Sequence, residues 1–257
     1  MSNMQLITPA TPDGIAEAAA KIRAGELVGL PTETVYGLGA DATNDTAVAG
    51  IFTSKKRPAF NPLIVHVADI DMARRFGVLD DITQALAREL WPGPLTLVVP
   101  RAESSTASLL VSAGLDTIAL RAPDHPVAQQ LIREAGRPIA APSANISGTV
   151  SPTTAQHVAD SLGDAVSLIL DGGSCRVGIE STIVMSDGDG IRLLRPGSVN
   201  REILEEVAKV PIHDDAPTGG KPLSPGQLDR HYAPAHAIRL NVAEPRSTEV
   251  LLALGQQ

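Results

Sequence analysis

Residues 26–39 read Glu26-Leu27-Val28-Gly29-Leu30-Pro31-Thr32-Glu33-Thr34-Val35-Tyr36-Gly37-Leu38-Gly39, a short apolar run that breaks at a proline into a polar loop punctuated by glycine. The run predicts a buried strand over residues 26–30, followed by a loop over 31–39. Upstream, Thr11 supplies a helix cap, Pro12 a first turn and Gly25 a stop, so the alanine-rich stretch 13–24 predicts a helix that feeds this strand. A second helix is predicted over 45–55. Apolar, β-branched runs at 63–67, 95–99, 117–120, 166–170 and 181–185 follow, with helical patterns at 82–90 and 127–135 between them and a last helix at 201–209. This alternation predicts an α/β fold, a sheet covered by helices, whose strand order the spacing does not fix.

Composition narrows the function classes. The 257 residues suffice for one large domain or two small ones, and 43% hydrophobic residues with 2% aromatics predict a core of Ala, Val, Leu and Ile. A formal net charge of −8 speaks against a general nucleic-acid binder, which needs surplus Lys and Arg to meet phosphates. The lone cysteine, Cys175, excludes an internal disulfide and fits a reducing cytosol. The amino terminus lacks the basic start and apolar run of a secretory signal, and no stretch approaches the roughly 20 apolar residues of a bilayer span. No Cys/His cluster has zinc spacing, so no protein-bound metal is expected.

After residue 209 the character of the chain changes. Pro217, Gly219, Gly220, Pro222, Pro225, Gly226 and Pro234 exclude regular structure and predict an extended linker over 210–235, after a body spanning 1–209. Residues 236–257 are too few for a domain and read as the start of one. The linker ends in Arg230-His231-Tyr232, groups able to stack on a base or reach phosphates. It is therefore expected to act as a lid and not as a passive tether.

Common nucleotide and hydrolase motifs fail. Gly37-Leu38-Gly39 is half of a dinucleotide fingerprint, Gly219-Gly220-Lys221 runs into Pro222, and there is no GxSxG elbow or HExxH. What remains are polar clusters at strand and helix ends, where open α/β sheets bind ligands. Lys55-Lys56-Arg57-Pro58 ends a helix, a place that also favours cations for structural reasons. Asn61-Pro62-Leu63-Ile64-Val65-His66 carries a histidine after an apolar run, a position usually structural. Arg121 stands at the mouth of a strand, where its planar fork suits a carboxylate, although a salt bridge to Asp124 or a helix end would satisfy it equally. Ile139-Ala140-Ala141-Pro142-Ser143-Ala144-Asn145 opens a small-residue strand into a hydroxyl- and amide-rich loop, and Glu180-Ser181-Thr182 and Arg195-Pro196-Gly197 repeat the pattern. These groups suit anions.

Taken in order, Pro31-Thr32-Glu33-Thr34-Val35-Tyr36-Gly37-Leu38, Lys55-x-Arg57-Pro58, Asn61-Pro62-Leu63, Pro142-Ser143-Ala144-Asn145-x-Ser147-Gly148, Glu180-Ser181-Thr182 and Arg195-Pro196-Gly197 closely resemble the YrdC-domain threonylcarbamoyl-AMP synthases. The resemblance covers about residues 7–209, and Ser224-Pro225-Gly226 with Arg230-His231-Tyr232-Ala233-Pro234 resembles the linker of the longer, two-domain members. It implies a twisted open sheet with a concave basic face on which ATP and threonine meet. The ATP site it implies comprises Lys55, Arg57, Asn61, Thr117, Ser143, Asn145, Ser151, Arg195 and Tyr232. The threonine site comprises Thr34, His66, Arg121, Ala141 and Ser181.

The implied reaction joins L-threonine, bicarbonate or CO2 and ATP into threonylcarbamoyl-AMP and pyrophosphate, with Mg2+ accompanying the nucleotide. Lys55 and Arg57 would counter phosphate charge while Ser143 and Asn145 orient the phosphates. The product would pass to the machinery that threonylcarbamoylates tRNA adenosine, with a weak tRNA contact and a cytoplasmic location among the expectations. A non-catalytic RNA- or nucleotide-binding or regulatory paralogue is the competing reading; a pure binding module gives the threonine-site residues no purpose, while the regulatory paralogue is separated by assay and not by sequence.

Overall fold

The structure, a computed structural model, describes residues 6–214, 223–226, 237–242 and 244–251. Its strands are β1 (Ile7–Pro9), β2 (Val28–Leu30), β3 (Gly37–Asp41), β4 (Ile64–His66), β5 (Leu95–Pro100), β6 (Thr117–Arg121), β7 (Ile139–Ala140), β8 (Leu168–Asp171), β9 (Thr182–Ser186), β10 (Ile191–Arg195) and β11 (Ile212–His213). They form one mixed, open sheet in the order β1-β8-β2-β3-β7-β4-β6-β5-β9-β10-β11. The helices are α1 (Pro12–Arg23), α2 (Asp45–Lys55), α3 (Ile70–Arg74), α4 (Asp81–Leu90), α5 (Pro126–Ala135), α6 (Ala155–Leu162) and α7 (Arg201–Ala208).

Helix ends follow local chemistry. Asn44 caps α2 by accepting from the Thr46 and Ala47 amides, and Lys56 closes it in a left-handed conformation. His125 and Pro126 start α5, and Gly136 ends it at φ 62°.

One face of the sheet decides where a ligand can sit. On it, α1 and α5 bury Ile15, Ala18, Ile22, Leu131 and Ile132 against Val28, Leu30, Ile139 and Leu170. Farther along, Ile64, Val98, Ala119, Ile183 and Leu194 form a separate apolar platform, met by Leu223 of the linker. His66 pairs in register with Ile139 and with Arg121, so both side chains project from this same face, beside the α1–α5 pair. The other face carries the large cluster that includes Leu38, Ile51, Leu86, Leu97 and Val184.

The structure departs from the sequence reading in places. The predicted loop 31–39 becomes strand in its last three residues, 37–39, where β3 begins. Gly37 and Gly39 carry no β-branched signal, yet a Cβ on Gly39 would stand 2.7 Å from Leu30 Cδ2 and 3.0 Å from Ile139 Cγ2. The sequence pattern does not predict strands β1 and β11 or helices α3 and α6, and of β10 it marks only the polar end at Arg195. The stripe of α6, Ala155, Val158, Ala159 and Leu162, has helical spacing but is half alanine. The sheet also runs past residue 209, since β11 pairs with β10 and Asp214 forms an ion pair with Arg201.

Candidate active site

The carboxyl ends of parallel strands β4 and β6 stop side by side at His66 and Arg121, which is where open α/β sheets place ligands. Around them Thr32, Thr34, Glu180, Ser181, Ala141 and Ser143 close a hollow that Arg57, Arg195 and Pro225 complete. All five expected threonine-site positions, Thr34, His66, Arg121, Ala141 and Ser181, line it. Of the expected ATP set, Arg57, Ser143 and Arg195 do so too.

Local hydrogen bonding fixes the walls. Thr32 Oγ1 donates to Val35 O at 2.6 Å and takes the Thr34 amide at 3.2 Å, a hydroxyl-braced turn that sets Thr34 toward the hollow. Tyr36, fully buried, donates its hydroxyl to Gly173 O at 2.7 Å, while the Val177 and Gly178 amides reach Glu33 O and Thr34 O. Residues 172–180 thus run alongside the first loop and deliver Glu180 and Ser181. Arg195 Nε donates to Ser181 O at 3.0 Å and Nη2 to Ser181 Oγ at 3.1 Å. A Cβ on Gly197 would meet the Thr182 amide nitrogen at 2.4 Å, so the Arg195-Pro196-Gly197 turn can lie on this backbone only as glycine.

Arg121, 4% exposed, corrects one expectation. Its partner is neither Asp124 nor a helix end. Nη2 stands 2.7 Å from Glu33 Oε1 and Nε donates to Gly93 O at 3.3 Å, while Asp124 pairs with Arg176. His66 is buried, and burial first, then the Arg121 charge, lowers its pKa to about 3. It is therefore neutral near pH 7, with Nδ1 lacking a hydrogen-bond partner among the described residues.

Lys55 and Asn145 are turned inward. Lys55, 1% exposed, donates to the Ser143 and Asn145 carbonyls, and burial, followed by Arg57, lowers its pKa to about 7. Asn145 Nδ2 bonds to Ile146 O and Thr149 within its own loop. The pair therefore builds the Ser143 loop from behind and does not line the hollow. Arg57 donates to Asn61 O at 3.2 Å and Pro62 O at 2.7 Å, with Asn61 itself buried. Ser151 donates to Glu180 Oε1. Thr117 stands at the far end of β6 from Arg121, on the same face as Ala119 of the platform. Tyr232 lies outside the described residues.

Glu33 and Glu180 received no role from sequence. An acid between two threonines gives no sign of burial, and strand-end position alone did not separate Glu180 from a solvated glutamate. Among the described residues no group of three or more His, Cys, Asp or Glu could hold a metal ion.

A hydroxyl- and arginine-lined hollow at parallel strand ends, with no nucleophile–base pair among the described residues, is suited to positioning anionic small molecules. The family model Sua5_yciO_yrdC, described as telomere recombination, matches residues 20–197. The chain belongs to this Sua5/YciO/YrdC family. It is 46% identical over 247 residues to the threonylcarbamoyl-AMP synthase of Bacillus subtilis, covering 95% of this chain and 71% of that protein. The Pyrococcus abyssi threonylcarbamoyl-AMP synthase is 46% identical over 86% of this chain and 66% of its own length. The crystal structure of P. abyssi Sua5 complexed with L-threonine matches with a TM-score of 0.81 at 43% identity, over 89% of this chain and 68% of that one. The chain thus spans about two thirds to seven tenths of these relatives.

Proposed function

We propose that this chain is an L-threonylcarbamoyladenylate synthase, a nucleotidyltransferase that converts L-threonine, bicarbonate or CO2 and ATP to threonylcarbamoyl-AMP and pyrophosphate. The observation that carries the proposal is the meeting of all five threonine-site positions in one hollow with Arg57, Ser143 and Arg195. Arg121 receives the substrate carboxylate, and neutral His66 offers an uncharged hydrogen-bonding edge beside it. The amine captures CO2 as a carbamate, whose oxygen then attacks the α-phosphate. Neither stage needs a protein nucleophile, because alignment of the reactants and countercharge on the phosphates carry the rate.

In this reading Arg57 and Arg195 meet phosphate charge directly and Ser143 orients the phosphates. Lys55 and Asn145 act through the loop that presents Ser143. The platform of Ile64, Ala119 and Ile183 leads from the hollow toward Thr117 and gives the nucleoside an apolar bed. Mg2+ enters bound to ATP, as part of the substrate.

The linker, expected over 210–235 and shortened by the five residues 210–214 that belong to the sheet region, is proposed as the lid. Four of its residues support this: Leu223 packs on the platform, Ser224 is fully buried, Pro225 lines the hollow and Gly226 stands against Arg195. Closure would keep water from a carbamate and an acyl-adenylate. The product would serve the transferase machinery of tRNA, with a weak tRNA contact, in the cytoplasm. No helix among the described residues is long and apolar enough to cross a membrane.

Isotope-labelled bicarbonate tests the reaction. With L-threonine and MgATP, label should enter a product whose mass is that of threonylcarbamoyl-AMP. Label absent from any adenylate would leave a nucleotide-binding paralogue as the reading.

A further inference from the structure

A second cavity, of about 480 Å³, lies apart from the hollow and shares no lining residue with it. That size suits one small ligand. Helices α3, α4 and α5 bring Arg74, Arg88 and Arg133 to it from their last turns, and Asp69, Asp71 and Trp91 complete its polar wall. A last turn favours a cation through the helix dipole, which accounts for one arginine on each helix. It does not account for three such turns opening on one cavity beside the only tryptophan of the chain.

The charges of the wall fall into two groups. On the α3 side, Asp69 accepts from the Met72 amide at 2.8 Å, and Asp71 takes Arg74 Nη1 at 3.3 Å while Arg74 Nη2 donates to Gln84 Oε1 at 3.0 Å. On the α4 and α5 side, Arg88 and Arg133 are exposed, and neither makes an ion pair or hydrogen bond with a described residue. Two unpaired guanidinium groups match the two negative charges of a phosphate monoester, whose oxygens accept from their forks. Trp91 spends its N–H on Leu95 O at 2.7 Å, so what it gives the cavity is ring surface, which suits a planar base. Asp69 and Asp71 would repel a bare phosphate, yet a carboxylate accepts well from the hydroxyl groups of a ribose. A continuous RNA strand needs a basic stripe, which a net charge of −8 and these two acids do not supply.

We propose that this cavity is a second, non-catalytic binding site whose ligand is a nucleoside monophosphate. Arg88 and Arg133 hold the phosphate, the α3 acids take the ribose hydroxyls, and Trp91 carries the base.

Because Trp91 is the only tryptophan, its fluorescence in the full chain reports on this cavity. AMP should change it saturably. Ribose 5-phosphate, which lacks the base, and adenosine, which lacks the phosphate, should each bind at least about tenfold more weakly, since each gives up part of the contact. Arg88→Ser combined with Arg133→Ser should weaken AMP binding by at least about tenfold, and each single substitution should give part of that loss. Both side chains are exposed and unpaired among the described residues, so the variants should melt close to the wild-type temperature.

AMP that binds the double variant as tightly as the wild type overturns the proposal, because the nucleotide then sits elsewhere. Ribose 5-phosphate or adenosine as tight as AMP overturns it too. So does a wild type whose fluorescence ignores AMP, including one that responds to a single-stranded RNA oligonucleotide instead.

Discussion

The two halves of the hollow are built in different ways. The half proposed for threonine is set by strand ends: His66 and Arg121 are register partners on β4 and β6, and Ser181 is locked by Thr96 and Arg195. The half proposed for the nucleotide is assembled from the turn after α2, the Ser143 loop, Ser151 and the residues around Pro225. On the proposed assignment, the difference teaches that one substrate would meet a formed receptor while the other would complete its own. In the proposed reading, rigid strands would place the reacting amine and loops would close over the leaving phosphates.

Arg121→Ala is the strongest way to break this division. Loss of a buried, charged partner should cost threonine binding about 2–5 kcal/mol while ATP affinity stays near wild type. Calorimetry with each substrate checks it. Threonine affinity retained with ATP affinity lost would mean that the halves have been exchanged.

The linker gives the next largest effect. A chain ending at Asp214 keeps β11 and the Arg201–Asp214 ion pair, so it should unfold at close to the full-length temperature. Its synthesis should fall on the order of a hundredfold, or its intermediate should leak to hydrolysis, because closure is lost. Synthesis at the full rate without added hydrolysis would reduce the linker to a tether.

Lys55 sharpens the comparison from the nucleotide side. Lys55→Met leaves the Ser143 and Asn145 carbonyls without their donor, at about 1–3 kcal/mol, and should raise the KM for ATP and not that for threonine. The pH signature has a fixed sign. Folding lowers the Lys55 pKa from 10.5 to about 7, so between these values the unfolded chain binds the extra proton. The burial penalty is fully present below pH 7, and its relief makes wild-type stability rise between about pH 7 and 10.5. Melting curves of Lys55→Met should lack that rise relative to wild type. Tyr232→Ala should show the smallest defect, a milder form of the truncation at about 1 kcal/mol of ATP affinity, the worth of one lost stacking contact.

Much of this organisation was legible in the sequence. Thr11 with Pro12 marks the start of α1 and Gly25 its stop by side-chain and backbone chemistry that acts over a few residues, and the predicted strands fell within a residue or two of those observed. The motif order brought together the positions that line the hollow. What stayed hidden depends on contacts distant in the chain. Gly37 and Gly39 form a strand because β2 and β7 crowd them, which propensity does not report. Lys55 reads as a solvent-facing cation at a helix end, yet carbonyls 88 and 90 residues away turn it inward. Glu33 pairs with Arg121 only because β6 ends beside the first loop.

The measurement closest to the central claim is pyrophosphate release with each substrate omitted in turn. If a formed threonine receptor and a closing nucleotide half act on one product, pyrophosphate is released only when ATP, Mg2+, bicarbonate and L-threonine are all present. Equal release without threonine would contradict the account.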